Sequence, residues 1–167
     1  MKKITVKMEV NGKDVEREID SRMLLATFVR DELKLTGTHI GCDTTNCGAC
    51  TLLLDGKAVK SCTVLAASAS GKKVVTIEGI SKDGAMHPVQ KAFIEKHGLQ
   101  CGFCTPGMIM TSYWLLGKGK KLSREEIRKY LSGNLCRCTG YQGIVDSVEY
   151  AAELMESEKA KERARNR

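Results

Sequence analysis

No stretch of this 167-residue sequence holds the roughly 20 consecutive apolar residues that a membrane-spanning helix needs, so such a helix is excluded. A secretory leader is not expected either. The first residues, MKKITVKMEVNG, carry charge and then alternate apolar with polar positions, without an apolar core or a small-residue cleavage site. We therefore expect a cytoplasmic protein. Aromatic residues are scarce, at 5% of the chain, and no basic stripe is interleaved with them. This argues against a stacking platform for single-stranded nucleic acid. The formal charge of +7 points the same way once it is located. The last ten residues, EKAKERARNR, hold five Lys or Arg against two Glu, and residues 161–167 are expected to be a solvated, disordered basic tail. Amides are few, with four Asn and three Gln. Abundant Lys and Glu lean toward a thermophilic composition, which eight Cys and seven Met oppose.

What is present is enough to fold: 42% of the residues are hydrophobic, on a length that suits one medium domain or two small ones. KITVKMEV alternates like a half-buried strand and is joined through Asn11-Gly12 to DVEREI, the chemistry of a tight hairpin. SRMLLATFVRDELK then spaces Leu24, Leu25, Phe28, Val29 and Leu33 on one helix face, with Ser21 as the expected N-cap. A Gly- and Cys-rich loop covers 36–50. TLLL and KAVK read as a second hairpin across Asp55-Gly56, and KKVVTIEG as a further strand. Residues 1–79 thus predict a small mixed sheet with one helix. After GISKDGAM the period changes to helical. HPVQKAFIEKHG, TPGMIMTSYWLLGKG, SREEIRKYLSG and YQGIVDSVEYAAELMESEKA predict four helices over 80–160. Pro106 sits just inside one start, Ser123 and Glu126 have capping-box spacing at another, and Gly133 forms a stop. The fold class is α+β. Two halves of about 80 residues are each marginal on core burial alone and call for a staple.

The cysteines divide four and four between the halves. The first set is Cys42-x4-Cys47-x2-Cys50 with Cys62 beyond it; the second is Cys101-x2-Cys104 with Cys136-x-Cys138 beyond it. Disulfide frameworks belong to small secreted domains, which this chain does not resemble. Zinc favours C-x2–4-C pairs, which suits the second set better than the first. The first set has the plant-type [2Fe–2S] spacing, C-x4-C-x2-C and a distant fourth Cys. A cluster-wrapping loop aims backbone N–H groups at sulfur, and Gly41 and Gly48 stand beside the cysteines where a close approach is needed. For the second set, spacing shows only that four thiolates could converge; it does not choose the metal.

Taken together, GCDTTNCGAC, the later SC, QCGFCTPGM and GNLCRCTGYQGIV resemble the small iron–sulfur subunit of the xanthine oxidase family of molybdenum hydroxylases. The resemblance covers residues 3–157. It implies a β-grasp, plant-type ferredoxin-like domain over 1–79 in which Cys42, Cys47, Cys50 and Cys62 hold one [2Fe–2S] cluster. It implies a four-helix bundle over 80–160 in which Cys101, Cys104, Cys136 and Cys138 hold another. Gln100 and Cys138 match family positions that touch the pterin of a molybdenum cofactor carried by a large subunit. A medium subunit carries FAD, and electrons run from molybdenum through both clusters to FAD. No FAD or molybdenum domain follows the bundle, so the expected assembly is a heterotrimer, often doubled. The loop GCDTTNCGAC is similar to those of aldehyde-oxidising members and, next, of carbon monoxide dehydrogenases. A free-standing ferredoxin-like carrier is the alternative of another class.

Other residues were weighed against plainer roles. Arg137, between two cysteines, suits either a subunit or phosphate contact or an ordinary surface ion pair. His39 is expected to be a non-ligand, since four cysteines fill the first site. Tyr113 and Trp114 are expected to pack, His87 to start a helix and His97 to lie near its end. Asp43, Thr44, Thr45 and Asn46 are expected to form the cluster-loop turn and donate to sulfur. No catalytic acid, base or nucleophile is recognisable, which leaves electron transfer as this chain's part in catalysis.

Overall fold

The computed structural model describes residues 2–165. Strands β1 (Lys3–Val10) and β2 (Lys13–Asp20) form an antiparallel hairpin with Val10 opposite Lys13. Its turn residues, Asn11 and Gly12, both have positive φ (51° and 78°), the twist that a two-residue hairpin loop requires. β3 (Thr51–Leu54) and β4 (Lys57–Lys60) repeat the device across Asp55 and Gly56. β5 (Lys73–Val75) joins the two hairpins, parallel to β1 and antiparallel to β3, giving the sheet order β2-β1-β5-β3-β4.

Two segments depart from the sequence expectation. The helix expected after Ser21 is short: α1 covers Leu25–Thr27 and opens directly into a wide π turn, Phe28–Glu32. Ser21 is not its cap. Leu24 holds that position, because the chain on either side of it is drawn into extended pairing. Leu25 N–H donates to Val64 O (2.7 Å) and Ala66 N–H to Met23 O (2.8 Å). The strand expected over KKVVTIEG stops at Val75. There the Asn11 side chain takes over the next peptide, accepting from Thr76 N–H and donating to Thr76 Oγ1, both at 2.9 Å.

Four helices follow: α2 (Pro88–Glu95), α3 (Thr105–Leu116), α4 (Arg124–Leu131) and α5 (Gln142–Arg165). α4 begins with the expected box, Ser123 Oγ accepting from Glu126 N–H and Glu126 accepting from Ser123 N–H. α2 carries a less usual one, with His87 Nδ1 accepting from Val89 N–H and Gln90 Oε1 from His87 N–H. α5 runs on to Arg165, so residues 161–165 are exposed helix and not the disordered tail that was expected; Asn166 and Arg167 lie outside the described residues.

Alternation along β3 explains how the layers join. Leu52 points into a core with Val6, Met8, Val10, Phe28 and Val74, while its neighbour Leu53 joins a second core with Phe93, Met108, Ile127, Ile144 and Val148. Each fully buried Leu or Phe is worth about 1.5–3 kcal/mol. Two small cores therefore share one strand as their common wall. α3 is buried nearly all round and touches β3, β4, α2, α4 and α5. Its close approach to the sheet side depends on Gly107: a Cβ there would collide with the Gly48 carbonyl.

Candidate metal centres

The hairpin register assembles the first cysteine set. Thr51 pairs with Lys60, so Cys50, one residue before β3, lies across from Ser61, one residue after β4. Ser61 Oγ–H donates to Cys50 O at 2.7 Å, and Cys62 follows in a 3₁₀ turn, its side chain beside that of Cys50. Burial, then the Cys50 sulfur, pushes the Cys62 thiol up to about 12. The other two members close a loop on each other. Cys47 N–H donates to Cys42 Sγ at 3.4 Å, and the amides of Thr44 and Asn46 also bear on that sulfur. This amide nest, led by Cys47 N–H, brings the Cys42 thiol down to about 6, while burial raises Cys47.

The loop is held from behind by Lys60. Its Nζ donates to Thr45 O at 2.7 Å and to Asn46 O at 3.3 Å. Thr45 needs the restraint, because a β-branched residue at φ 66° is strained.

The second set comes from two turns of the helical layer. Cys101 and Cys104 lead into α3, with Cys104 as its N-cap; Cys136 and Cys138 lie between α4 and α5. Cys138 and Cys101 approach with their sulfurs 3.5 Å apart, and the side chains of Cys104 and Cys136 neighbour each other. Burial pushes Cys104 up to about 12. The Phe103 amide lowers Cys101, and the Cys101 sulfur raises Cys138. At Cys136 burial acts upward, but Thr139 Oγ1–H, at 3.1 Å from the sulfur, and the amides of Thr139 and Cys138 outweigh it, so the thiol is lowered. The Cys136 amide itself is taken by Tyr141 Oη at 2.9 Å.

All eight thiols are free, and they group two by two: Cys42 with Cys47, Cys50 with Cys62, Cys101 with Cys138, Cys104 with Cys136. Among the described residues no three His, Cys, Asp or Glu side chains converge as they would on a single ion. Paired thiols fit a binuclear centre, which takes two thiolates on each iron. A second observation agrees. Thr105 Oγ1, directly after Cys104, is the one buried side-chain N or O atom among the described residues with no hydrogen-bond partner. An unpaired buried hydroxyl costs about 1–3 kcal/mol, and cluster sulfur is an acceptor of the kind it lacks.

The two sets meet at a tight seam. A Cβ on Gly41 would lie 3.0 Å from the Phe103 ring and 3.4 Å from Cys47 Sγ, so Phe103 covers the first set from the second. His39 stacks on Phe103 (centroids 4.8 Å apart) and its Nδ1 is hydrogen-bonded to Phe103 O at 2.8 Å, which occupies it as a packing residue. Asn134 is buried between the halves. Its Nδ2 donates to Gly48 O at 3.0 Å and its Oδ1 accepts from Thr111 Oγ1 at 2.9 Å. Gln100, Cys101, Arg137 and Cys138 are exposed, and Ile40, Phe103 and Leu135 add apolar surface beside the cysteines. Tyr113 and Trp114 lie away from this seam, edge-on to His87 and Tyr130, and His97 ends α2 with its N–H donating to Ile94 O. Sequence reasoning missed Lys60, Asn134 and Thr105. Thr105 and Asn134 stand beside cysteines in the motifs, whereas nothing local marks Lys60, a lysine at the end of a strand.

Residues 76–149 match the family described as "[2Fe-2S] binding domain". The chain is 49% identical over 160 residues to the caffeine dehydrogenase subunit gamma of Pseudomonas sp. (strain CBB1), covering 94% of this chain and 96% of that one. Quinoline 2-oxidoreductase from Pseudomonas putida 86 superimposes with a TM-score of 0.89 at 41% identity, covering 93% of this chain and 97% of the matched one. Aldehyde oxidoreductase from Desulfovibrio gigas does so with a TM-score of 0.87 at 39% identity, over 93% of this chain but 17% of its own, longer chain.

Proposed function

Since the chain belongs to the small iron–sulfur subunits of the xanthine oxidase family of molybdenum hydroxylases, we propose that it relays electrons from a molybdenum cofactor on a large subunit to FAD on a medium subunit. The observation that carries this reading is the pairing of eight free thiols, two by two, in two sets that meet at one seam. When bound, each [2Fe–2S] cluster supplies a one-electron couple. Cys42, Cys47, Cys50 and Cys62 hold the first, within a β-grasp ferredoxin-like domain over 1–79. Cys101, Cys104, Cys136 and Cys138 hold the second, within a four-helix bundle over 80–160. The exposed Gln100 and Cys138 face the pterin, so the second set takes the electron in and the first passes it on. The amides around Cys42 and the Thr139 hydroxyl at Cys136 stabilise one thiolate in each set.

The subunit reading is favoured over a free carrier by the exposed Ile40, Phe103 and Leu135 beside the outer thiols, where a diffusible protein would present polar surface. The cofactor-bearing partners form a heterotrimer with it in the cytoplasm, single or doubled. For the substrate, the loop GCDTTNCGAC favours an aldehyde, with carbon monoxide as the next choice. A second reading, hydroxylation of an N-heteroaromatic ring, is favoured by the 49% identity to the caffeine dehydrogenase subunit against 41% to the aldehyde oxidoreductase in the same sequence comparison. Affinity purification of the full chain from its source tests the subunit reading. Two larger proteins carrying molybdenum and FAD are expected to co-purify; a stable monomer that shuttles electrons unaided contradicts it.

A further inference from the structure

One peptide unit in the first cysteine loop is gripped at both ends, and the unit before it is held by the same cation. The Thr45–Asn46 peptide offers its oxygen to Lys60 Nζ at 2.7 Å, and its N–H bears on the Cys42 sulfur. The Asn46–Cys47 peptide offers its oxygen to the same ammonium at 3.3 Å, and its N–H donates to Cys42 Sγ at 3.4 Å. A cation at a carbonyl polarises the whole amide, so its N–H becomes a stronger donor to sulfur. Hydrogen bonds to sulfur and local charge are what set the potential of an iron–sulfur centre. Lys60 is delivered to this place by the β3–β4 register, which sets it opposite Thr51, and its half-buried position limits screening by water.

We propose that Lys60 is a positioning residue that raises the reduction potential of the first cluster by polarising the Asn46–Cys47 peptide, whose N–H donates to Cys42 Sγ. This rests on the reading of Cys42, Cys47, Cys50 and Cys62 as cluster ligands. The step it favours is the transfer of one electron from the second cluster, left oxidised, to the first, left reduced. No bond is made or broken and no proton moves. Lys60 also holds the strained Thr45 turn in place, which keeps the donors aimed.

The test is a redox titration of the full-length, iron-loaded protein, with any subunits that accompany it, followed by electron paramagnetic resonance of both clusters. Lys60→Gln keeps a donor and removes the charge. It is expected to shift the sharing of one electron about tenfold away from the first cluster, a fall of about 59 mV in that couple, with the second unmoved. Lys60→Arg returns the first cluster to its wild-type potential, and Lys57→Gln, an exposed change on the same strand, leaves both alone. An unmoved first cluster in K60Q, or equal shifts in both, overturns the proposal. If K60Q does not retain the first cluster, N-acetyllysine at position 60 takes its place, since it keeps the stem and an N–H without the charge. Loss of the cluster there as well, with K60R intact, overturns the tuning role and leaves a loop clamp. A wild-type protein without two [2Fe–2S] signals overturns the ligand reading instead, so the two failures are distinct.

Discussion

The main-chain N–H of Leu135 donates to the carbonyl oxygen of Cys47 across 2.9 Å. Leu135 precedes Cys136, so a path of covalent bonds and this one hydrogen bond links a cysteine of the first set to a cysteine of the second. Asn134, the next residue back, locks the same seam through Gly48 and Thr111. Polar contacts between the halves of the molecule thus fall where the cysteine sets face each other.

Replacing Asn134 by Ala leaves the Thr111 hydroxyl buried without its acceptor, while the Gly48 carbonyl keeps the N–H and the hydroxyl of Thr51. The expected loss is about 1–3 kcal/mol, measured by urea unfolding of the loaded protein. The magnetic coupling between the two clusters is expected to weaken as the seam loosens. A loss below about 0.5 kcal/mol, the range of an ordinary surface change, would show that the seam does not depend on this side chain.

Gly107→Ala places a methyl group against the Gly48 carbonyl and the Ala49 backbone, neither of which can rotate away. We expect a destabilisation of about 3 kcal/mol or more, seen as a lowered Tm or as insoluble protein. Wild-type thermal stability in this variant would mean that α3 does not lie against the cysteine loop as described.

Much of this was legible in the sequence, and the failures have physical causes. Asn11-Gly12 and Asp55-Gly56 announced their turns because both positions of such a loop need positive φ. Ser123 and Glu126 announced α4 because the box is local. The first helix was misjudged because its apolar spacing is genuine, but non-local pairing of Met23–Leu25 with Val64–Ala66 consumes its first turn. β5 was read too long because the Asn11 side chain, 65 residues away from Thr76 in sequence, ends it. The cysteine spacings marked both candidate sites, whereas the pairing of sulfurs and the placing of Lys60 depend on strand register and could not be read from spacing.

His87 caps α2 as an acceptor, which requires a neutral Nδ1. Burial lowers its pKa below the ordinary 6.5. The unfolded chain therefore binds this proton more readily than the folded one, and stability rises with pH across the interval between the two values. The contribution is complete above about pH 6.5 and is lost as pH falls through the lowered value. Thermal melts from pH 7.5 down to 5 are expected to show this loss in the wild type and a weaker dependence in His87→Asn, whose cap does not titrate. Parallel slopes for both would assign the effect elsewhere.

At α4, Ser123→Ala removes an N-cap and is expected to cost about 1 kcal/mol. Its partner Glu126 is held down to about 2, by Lys120 first and by Ser123 N–H next. A lowered carboxylate contributes stability above its unfolded value of 4.5 and loses it as pH falls toward 2. Glu126→Gln should flatten that acid limb of the melting curve; an unchanged limb counts against the box as an acid-sensitive contact.

The central claim is that eight cysteines hold two [2Fe–2S] clusters. It is tested most directly by electron paramagnetic resonance of the dithionite-reduced full-length protein, alongside iron and acid-labile sulfide analysis. The account predicts two distinct signals and about four irons per chain. It further predicts that Cys138→Ser abolishes one signal and Cys62→Ser the other. Zinc in place of iron and sulfide, or both signals surviving either substitution, would contradict it.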